Sequence, residues 1–573
     1  MQFSNQQVAQ VFRDIADSME VLGENRFKFQ AYARAAETID ELPTSLYDYL
    51  AAGTLDDIAG VGPAISAKIT ELLTTGELDF RERLRVQVPD GVLQIVRVPG
   101  VGPKTALRLY RELGIADIAA LEDAARNGRI RGLKGLGAKL ESRVLQGLAA
   151  HAEAPNRFLL GEMLPLAREL VSAFAAAAPA LSEAAYAGSL RRAAPTIGNI
   201  NLVAASAEPQ QVLNAFAALP HIASVQAMAE RQVEARLHNG KHCTLHVAAP
   251  EAWGTSLAWL TASPAHRASL LELAAERGLA LQNTGLYRDD TLLPTPSEDA
   301  LYTALGLPMI PPELREGWGE IAAAQAGTLP QLVELRDIRA DMHTHTAWSD
   351  GRGSVAELAE AALARGYEYY VITDHSFYMG MVNGLDAARL KQQRAEIDAV
   401  NADMARRGIN FKLLQGSEVD MLPDGSLALA DDVLATLDWV VASLHVSLRQ
   451  ERTAVTQRVL NALHNPHVDC IGHLTGRRLL RRQGADLDLD AVFAAAAETG
   501  TVLEVDGGYD RLDIDAELVH RAIGMGIRLA IDSDAHRTVD LPNIEYGVLT
   551  ARRGWASKRD VVNCWPWDEI KPR

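Results

Sequence analysis

The sequence predicts a multidomain α/β protein: a helical N-terminal region, a mixed central region and a C-terminal βα barrel. Three patterns lead there. Residues 1–150 read as short helices separated by glycine-containing turns. Strand patterns dominate from Ala184 to Ala249. From Ile338 onward strands and helices alternate as βα units do.

The chain has 573 residues, 48% of them hydrophobic, so it can bury several cores. Cys243, Cys470 and Cys564 show no CxxC spacing, which argues against a disulfide framework or a thiolate zinc knot and fits a reducing cytoplasm. The opening "MQFSNQQVAQVFRDIADSME" is amphipathic and charged, so no signal peptide is expected. No long apolar run suggests a membrane span. The net charge of −18 argues against wholesale coating of nucleic acid. Local basic surfaces remain compatible with it, because only charges within a Debye length of about 10 Å act strongly on a ligand.

The N-terminal region carries a repeat. "IAGVGPAISAKI" (58–69), "VPGVGPKTALRL" (96–107) and "LKGLGAKLESRV" (133–144) each place two glycines before a helix. The glycines permit a tight turn, and the helix-start N–H groups then suit a phosphate. The repeat resembles the helix–hairpin–helix motif, which grips DNA backbone without reading sequence. Gly60, Gly62, Gly100, Gly102, Lys104, Gly135, Gly137 and Lys139 are the candidate backbone contacts. A helix-capping glycine followed by a turn is the alternative for any single copy.

Residues 156–183 read as Ala/Leu-rich helix, and "EAAYAGSL", "GNINLVAAS", "HIASVQAMA", "QVEARLH" and "CTLHVAA" as strands. Residues 250–325 return to helix around a "GLALQNTGLYR" strand pair, and 327–337 reads as a linker.

Beyond Ile338, the predicted strands end in candidate ligands. His343 and His345 alternate at one strand end and face the same way, with Asp350 in the loop that follows. Later strands reach His375, Glu418, His445, His473, and then Asp534 with His536. Glu504 and Asp506 stand by as supporting groups. Strand C-termini of a parallel barrel open on one face, so these residues converge. Imidazole and carboxylate together favour zinc, manganese or iron over magnesium alone. Two or three such ions can activate water and clamp a phosphate, and phosphoester hydrolysis is the natural reaction. An isolated histidine is usually just hydrogen-bonded; nine ligand residues at ordered strand ends are not explained that way.

"DMHTHT…SDG", "ITDHS", "GSEVD", "SLH", "GHLTGR" and "DSDAH" resemble the polymerase-and-histidinol-phosphatase (PHP) domain. That resemblance implies a distorted (β/α)7 barrel and a trinuclear metal site on the nine residues. Upstream, "LGENRFKFQAYARAAETIDELP", the hairpins, "WGTSLAWLTASPAHRASLLELA" and "EDALYTALGLPMIPPELREGWGEI" resemble bacterial family X DNA polymerases carrying a C-terminal PHP domain. The resemblance implies an 8-kDa-like, lyase-like domain at 1–85, fingers-like hairpins at 86–155 and a nucleotidyltransferase-like palm at 156–250. A thumb follows at 251–326, then the linker at 327–337 and the barrel at 338–573. It also implies work on gapped, nicked or 3′-recessed DNA by a nucleoid-associated cytoplasmic protein, with a monomer as the default.

The palm departs from its family. The motif G-S-x-R-R-G…G-D-x-D is matched by Gly188, Ser189, Arg191 and Arg192, and Gly188, Ser189 and Arg192 remain candidates to hold a dNTP triphosphate. Ala193 replaces the motif glycine. Asn199 and Asn201 stand where the two aspartates belong, and Thr244 where the third does. Amides and a hydroxyl add no negative charge to hold magnesium or manganese. Losing about 3 kcal/mol of transition-state stabilisation already costs over a hundredfold, so a weak or inactive polymerase is expected. Lys68 falls where some family members carry the Schiff-base lysine of a deoxyribose-phosphate lyase, and a solvated helix lysine is the alternative.

The leading expectation is a metal-dependent 3′–5′ exonuclease or 3′-end-processing phosphodiesterase, with abasic-site cleavage as an extension. The alternatives are a manganese-dependent gap-filling polymerase with an attached nuclease, a small-molecule phosphatase, and a non-catalytic DNA scaffold.

Overall fold

The computed structural model describes the chain apart from residues 1, 2, 4, 43, 44, 59, 97, 99, 100, 134–136, 138, 139, 146–156, 379–381 and 571–573. It divides into two units, Met1–Asn156 and Arg157–Arg573. Among the described residues no helix is long and apolar enough to cross a membrane.

The first unit is helical. Helices Asn5–Val21, Arg26–Glu41, Leu46–Ala52 and Pro63–Thr75 enclose one core around Phe12, Ile15, Ile39 and Ile69. Helices Asp90–Val96, Pro103–Leu113 and Ile118–Arg126 enclose another around Val92, Leu109 and Leu121. The repeat appears as matching turns. Val61 N donates to Ile58 O (2.9 Å) and Val101 N to Val98 O (3.0 Å), and the next helix then starts on Gly62 or Gly102 with proline in its first turn. Neither glycine cap offers a side-chain acceptor to the helix N–H groups, which suits an outside anion. Gly60 takes the left-handed conformation (φ 76°) that the first turn requires. In the third copy Leu140 N donates to Gly137 O (2.9 Å) as Ile65 N does to Gly62 O (2.9 Å). Gly100, Gly135 and Lys139 lie outside the described residues.

The second unit begins with the region read from the sequence as a palm, and that label is kept for it below. Strands β1 (Glu183–Ala187), β2 (Ile200–Ala205), β3 (Ile222–Ala229), β4 (Gln232–Leu237) and β5 (His242–Ala248) form one sheet in the order β1-β2-β5-β4-β3. Only β2 and β5 are parallel. Alternation along β4 and β5 buries Val233, Ala235, Cys243 and Leu245 beneath helices Leu160–Ala177 and Pro209–Ala217. On the opposite face Val203 and Ala205 meet Trp253 and Leu257 of the next domain. That domain packs helices Trp253–Thr261, Pro264–Glu276 and Glu298–Ala304 on a small sheet. The sheet has three strands, because Thr291–Leu293 adds to the expected pair.

Six parallel strands follow in sequential order: β6 (Tyr369–Ile372), β7 (Lys412–Asp420), β8 (Trp439–Ser443), β9 (Cys470–Gly472), β10 (Val502–Asp506) and β11 (Leu529–Asp532). Residues 340–346 run between the first and last of them. Val371 N donates to Asp341 O (3.1 Å) and Thr373 N to Thr344 O (2.8 Å) on one side, and His345 N donates to Ala535 O (2.9 Å) on the other. Buried Asn563 bridges the remaining gap, its Nδ2 donating to Ala340 O (2.9 Å) and Ile531 O (2.6 Å). Alternate residues face inward: Tyr369, Val371, Trp439 and Val441 fill the interior with Val562 and Ile570, while Tyr370, Ile372, Val440 and Ala442 pack under the helices. The interior below the strand ends is therefore solid. Residues 327–337, read as a linker, dock on this body. Val333 is fully buried in its core and donates its N–H to Ala556 O (2.9 Å).

Candidate metal centre

The nine candidate ligands converge at the C-terminal ends of the barrel strands. Glu418 lies on β7 itself, His445 two residues beyond β8, His473 directly after β9, and Asp534 two beyond β11. Gly472 makes room for this. A Cβ there would sit 2.4 Å from Ser443 Oγ and 2.7 Å from Val441 Cγ1. His473 (φ 23°) and Asp534 (φ 50°) adopt left-handed backbone, a strain that clusters at functional sites.

Glu418 is the hub. Its Oε1 faces His473 Nε2 (2.8 Å) and His445 Nε2 (3.0 Å). Its Oε2 faces His375 Nδ1 (2.9 Å), His343 Nε2 (3.4 Å) and His345 Nε2 (3.6 Å). Asp534 Oδ1 lies 3.1 Å from His345 Nε2 and 3.8 Å from His343 Nε2. Asp350 Oδ2 lies 3.4 Å from His536 Nε2 and 3.6 Å from His375 Nε2. Three overlapping groups thus present donors within 4.8 Å of one another: His343–His345–Asp534, His375–Glu418–His445 and His345–Asp350–His375–His536.

This donor set fits divalent metal. His343 Nε2, His375 Nδ1 and Glu418 Oε2 are buried and make no well-aligned hydrogen bond, although they crowd one another. Buried polar atoms are rarely left so, and nitrogens and oxygens aimed at a common point are what a cation needs. The charge balance agrees. Burial opposes protonation of His445, yet Glu418 and Asp420 push it up to about 10. Burial and the neighbouring His536 and His375 drive His345 down to about 3. Glu418 is held well below the carboxylate range despite its burial, by His445, His375 and His343. The pocket thus stabilises ionised acid among cationic groups, a place a metal can take.

Supporting groups orient the rings. Glu504 Oε1 accepts from His343 Nδ1 (2.6 Å) and its Oε2 accepts from His473 N (2.5 Å), the role the sequence suggested. Asp506 instead binds Gly508 N through Oδ1 (2.6 Å) and faces Arg511 Nε through Oδ2 (3.3 Å). Asp420 escaped the sequence reading. Its Oδ1 accepts from His445 Nδ1 (2.8 Å), and its place two residues after Glu418 on the same strand was the available signal. Arg511, whose Nε lies 3.5 Å from Asp534 Oδ2, also escaped it.

The palm positions behave differently. Asn199 Nδ2 donates to Asn201 Oδ1 (3.0 Å), and Asn201 Nδ2 to Asn199 Oδ1 (3.4 Å). Two carboxylates so placed would repel without a cation, whereas two amides satisfy each other. Thr244 stands beside Asn201 in the β2–β5 register, and Glu234 opposite Thr244 on β4. Gly188 (φ 70°) abuts Asn201 and leads into Ser189 at a short helical turn. Arg192, expected to grip phosphate, is engaged elsewhere: Nε donates to Glu316 Oε1 (2.9 Å) and Nη1 to Thr261 O (2.7 Å). Arg191 forks onto Glu298 (2.8 and 2.7 Å). Ala193 adopts φ 54°, which explains the glycine usual there.

In the first unit Lys68 Nζ donates to Ala64 O (3.0 Å) and lies over the Phe80 and Tyr32 rings, 5.1 and 5.9 Å from their centroids. Lys104 is exposed on the second hairpin helix.

Comparison with known proteins agrees with this architecture. Family models match a helix–hairpin–helix domain at residues 3–78, a SAM-like helix–hairpin–helix tandem at 92–150, a DNA polymerase beta thumb at 256–316 and a PHP domain at 341–524. The chain is 36% identical over 566 residues to the DNA polymerase/3′-5′ exonuclease PolX of Bacillus subtilis, covering 97% of this chain and 96% of that protein. Over the barrel region it is 28% identical to a probable phosphatase of Thermoanaerobacter sp. strain X514, covering 39% of this chain and 89% of the relative. A probable phosphatase of Photobacterium profundum matches at 29% over 36% of this chain and 81% of the relative. The hairpin and thumb domains imply DNA binding, and the PHP match with the His/Asp clusters points to metal binding. The chain belongs to the bacterial family X DNA polymerases with a C-terminal PHP domain.

Proposed function

We propose that the barrel is a metal-dependent DNA phosphodiesterase acting on 3′ ends, and that the palm holds DNA termini without efficient synthesis. One observation carries this reading: the barrel leaves buried ligand atoms unsatisfied around Glu418, whereas the palm's Asn199 and Asn201 satisfy each other.

His343, His345 and Asp534 would hold one ion. Glu418 with His445 and His473 would hold a second, and Asp350 with His375 and His536 a third. Zinc, manganese and iron suit this donor set. Bound there, such ions supply an activated water and neutralise phosphate charge. The chain's own part is positional. Glu418 presents one oxygen to each side of the cluster, Glu504 and Asp420 fix the rings of His343 and His445, and the filled barrel interior keeps bulk water out from below. The hairpin helix starts and thumb would bring a gapped, nicked or 3′-recessed end to the site. The Bacillus relative's printed name includes 3′-5′ exonuclease, which accords with this direction. Cleavage at abasic sites would use the same centre.

That same name includes DNA polymerase and favours a second reading, slow manganese-dependent gap filling from dNTPs. Nuclease assays of the wild type beside His343→Ala on 3′-recessed, gapped and abasic DNA, with metal analysis of both, test the primary reading. Metal-dependent shortening by the wild type alone supports it. Equal inertness of both proteins, with no bound ion in either, refutes it. For Lys68, the carbonyl and ring contacts favour a structural lysine, so borohydride trapping on abasic DNA should give no Lys68-dependent adduct.

A further inference from the structure

The palm core contains a residue of the barrel. Leu512, from the loop after β10, is fully buried and belongs to the same hydrophobic core as the palm residues Leu160, Met163, Leu190 and Ile197. Its neighbour Arg511 reaches the other way, to Asp506 Oδ2 (3.3 Å) and Asp534 Oδ2 (3.5 Å) at the candidate metal centre. One peptide unit therefore joins the interior of the palm to the edge of the barrel site.

The loop is held firmly between these ends. It folds back on its strand, with Asp506 N donating to Asp513 O (2.7 Å) and Ile514 N to Glu504 O (3.1 Å). Arg477 Nε donates to Arg511 O (3.0 Å), and Asp513 Oδ2 accepts from Thr475 N and Oγ1 (2.9 Å each). This ties the loop to the segment that follows His473. That segment also reaches the palm, through Leu479. On the palm side, Gly161 lies flat against Tyr509, and a Cβ at Gly161 would fall 2.4 Å from Tyr509 Cβ. Leu512 itself takes φ 46°, a conformation that its burial in the palm core helps to hold.

We propose that Arg511 holds a phosphate oxygen of the substrate at the Asp534 side of the centre, and that the palm positions it through Leu512 and Tyr509. This rests on the reading of the barrel as a phosphodiesterase. Arg511 Nε lies 3.5 Å from Asp534, an acid that would hold metal, so its positive charge would complement a phosphate drawn to that metal, and a planar guanidinium suits phosphate oxygens. The palm thereby has a use in hydrolysis that needs no aspartates at 199 and 201. Arg511 would be a catalytic residue; Leu512 and Gly161 act through it as positioning residues.

The test uses the full chain and a 3′-recessed DNA. Arg511→Gln should lower kcat on the order of a hundredfold, as loss of a transition-state donor does, with bound metal unchanged. Arg511→Ala should recover part of its activity on adding guanidinium ion, which a structural role would not allow. Leu512→Ala and, from the palm side, Gly161→Ala should each lower kcat about tenfold with KM and metal content retained. Leu549→Ala thins the same core from helix Ile544–Arg553, an element separate from the loop, and should turn over within about twofold of wild type. An active wild type with Arg511→Gln and Gly161→Ala equally active overturns the inference and leaves the phosphodiesterase reading standing. Equal losses in Leu549→Ala and Leu512→Ala also overturn it, because the effect is then general loosening. A metal-loaded wild type that hydrolyses no phosphodiester fails the underlying reading instead.

Discussion

The palm and the barrel are two constellations of polar side chains in one folded unit, and they solve opposite problems. Around Glu418 the barrel concentrates six histidines and two further candidate ligand acids, and leaves His343 Nε2, His375 Nδ1 and Glu418 Oε2 buried without aligned partners. At the palm's corresponding positions, Asn199 and Asn201 close on each other, and the nearby arginines are absorbed by Glu298 and Glu316. The first cluster leaves buried ligand atoms without aligned partners, whereas the two amides of the second pair with each other. Family membership alone would credit both domains with catalysis, whereas side-chain satisfaction separates them.

Restoring acid to the palm gives the largest expected effect. Asn199→Asp, Asn201→Asp and Thr244→Asp together should raise magnesium-dependent primer extension about a thousandfold over the wild type, equivalent to about 4 kcal/mol. A wild type that extends as fast as the triple variant would erase the distinction between the two sites.

Next is Glu298, which locks Arg191 and the fully buried Arg315. Burial pushes its carboxyl up, but hydrogen bonds and charge from the two arginines bring it down to about 2. With the folded value depressed, its contribution is fully present above the unfolded value of about 4.3 and is lost as pH falls towards 2. Glu298→Gln should cost about 3 kcal/mol at neutral pH, because it strands buried guanidinium. Urea melts of both proteins should converge in acid; a constant gap across that range would contradict the pairing.

In the barrel, Glu504→Gln should weaken metal binding about tenfold or more, since the amide cannot hold the His343 ring in the same way. Titration with zinc or manganese reads this out, and unchanged affinity would show that His343 needs no support. The smallest effect is Ala193→Gly, which relieves a left-handed alanine and should stabilise the chain by up to about 1 kcal/mol. A lower melting temperature would count against it.

Much of the barrel was legible because its ligands sit at strand ends, where a period of two and a single open face dictate convergence. The amide substitutions were legible as residue types, but their mutual hydrogen bonds were not, because these depend on rotamers. Arg192 reads as a phosphate ligand from its motif. Its capture by Glu316, 124 residues on, is a tertiary fact that no local pattern carries. Asp420 was one alternation away from Glu418 and could have been found. Leu512 in the palm core and Asn563 at the barrel seam could not. Each is an ordinary residue whose role comes from a distant partner. The 327–337 segment reads as a linker, yet Val333 anchors it in the barrel core.

The division of labour is tested most directly on one labelled 3′-recessed DNA, incubated with dNTPs and either magnesium or manganese. The wild type should shorten the labelled strand without extending it, and His343→Ala should leave it at its original length. Extension by the wild type that persists in His343→Ala would contradict the assignment of catalysis to the barrel alone.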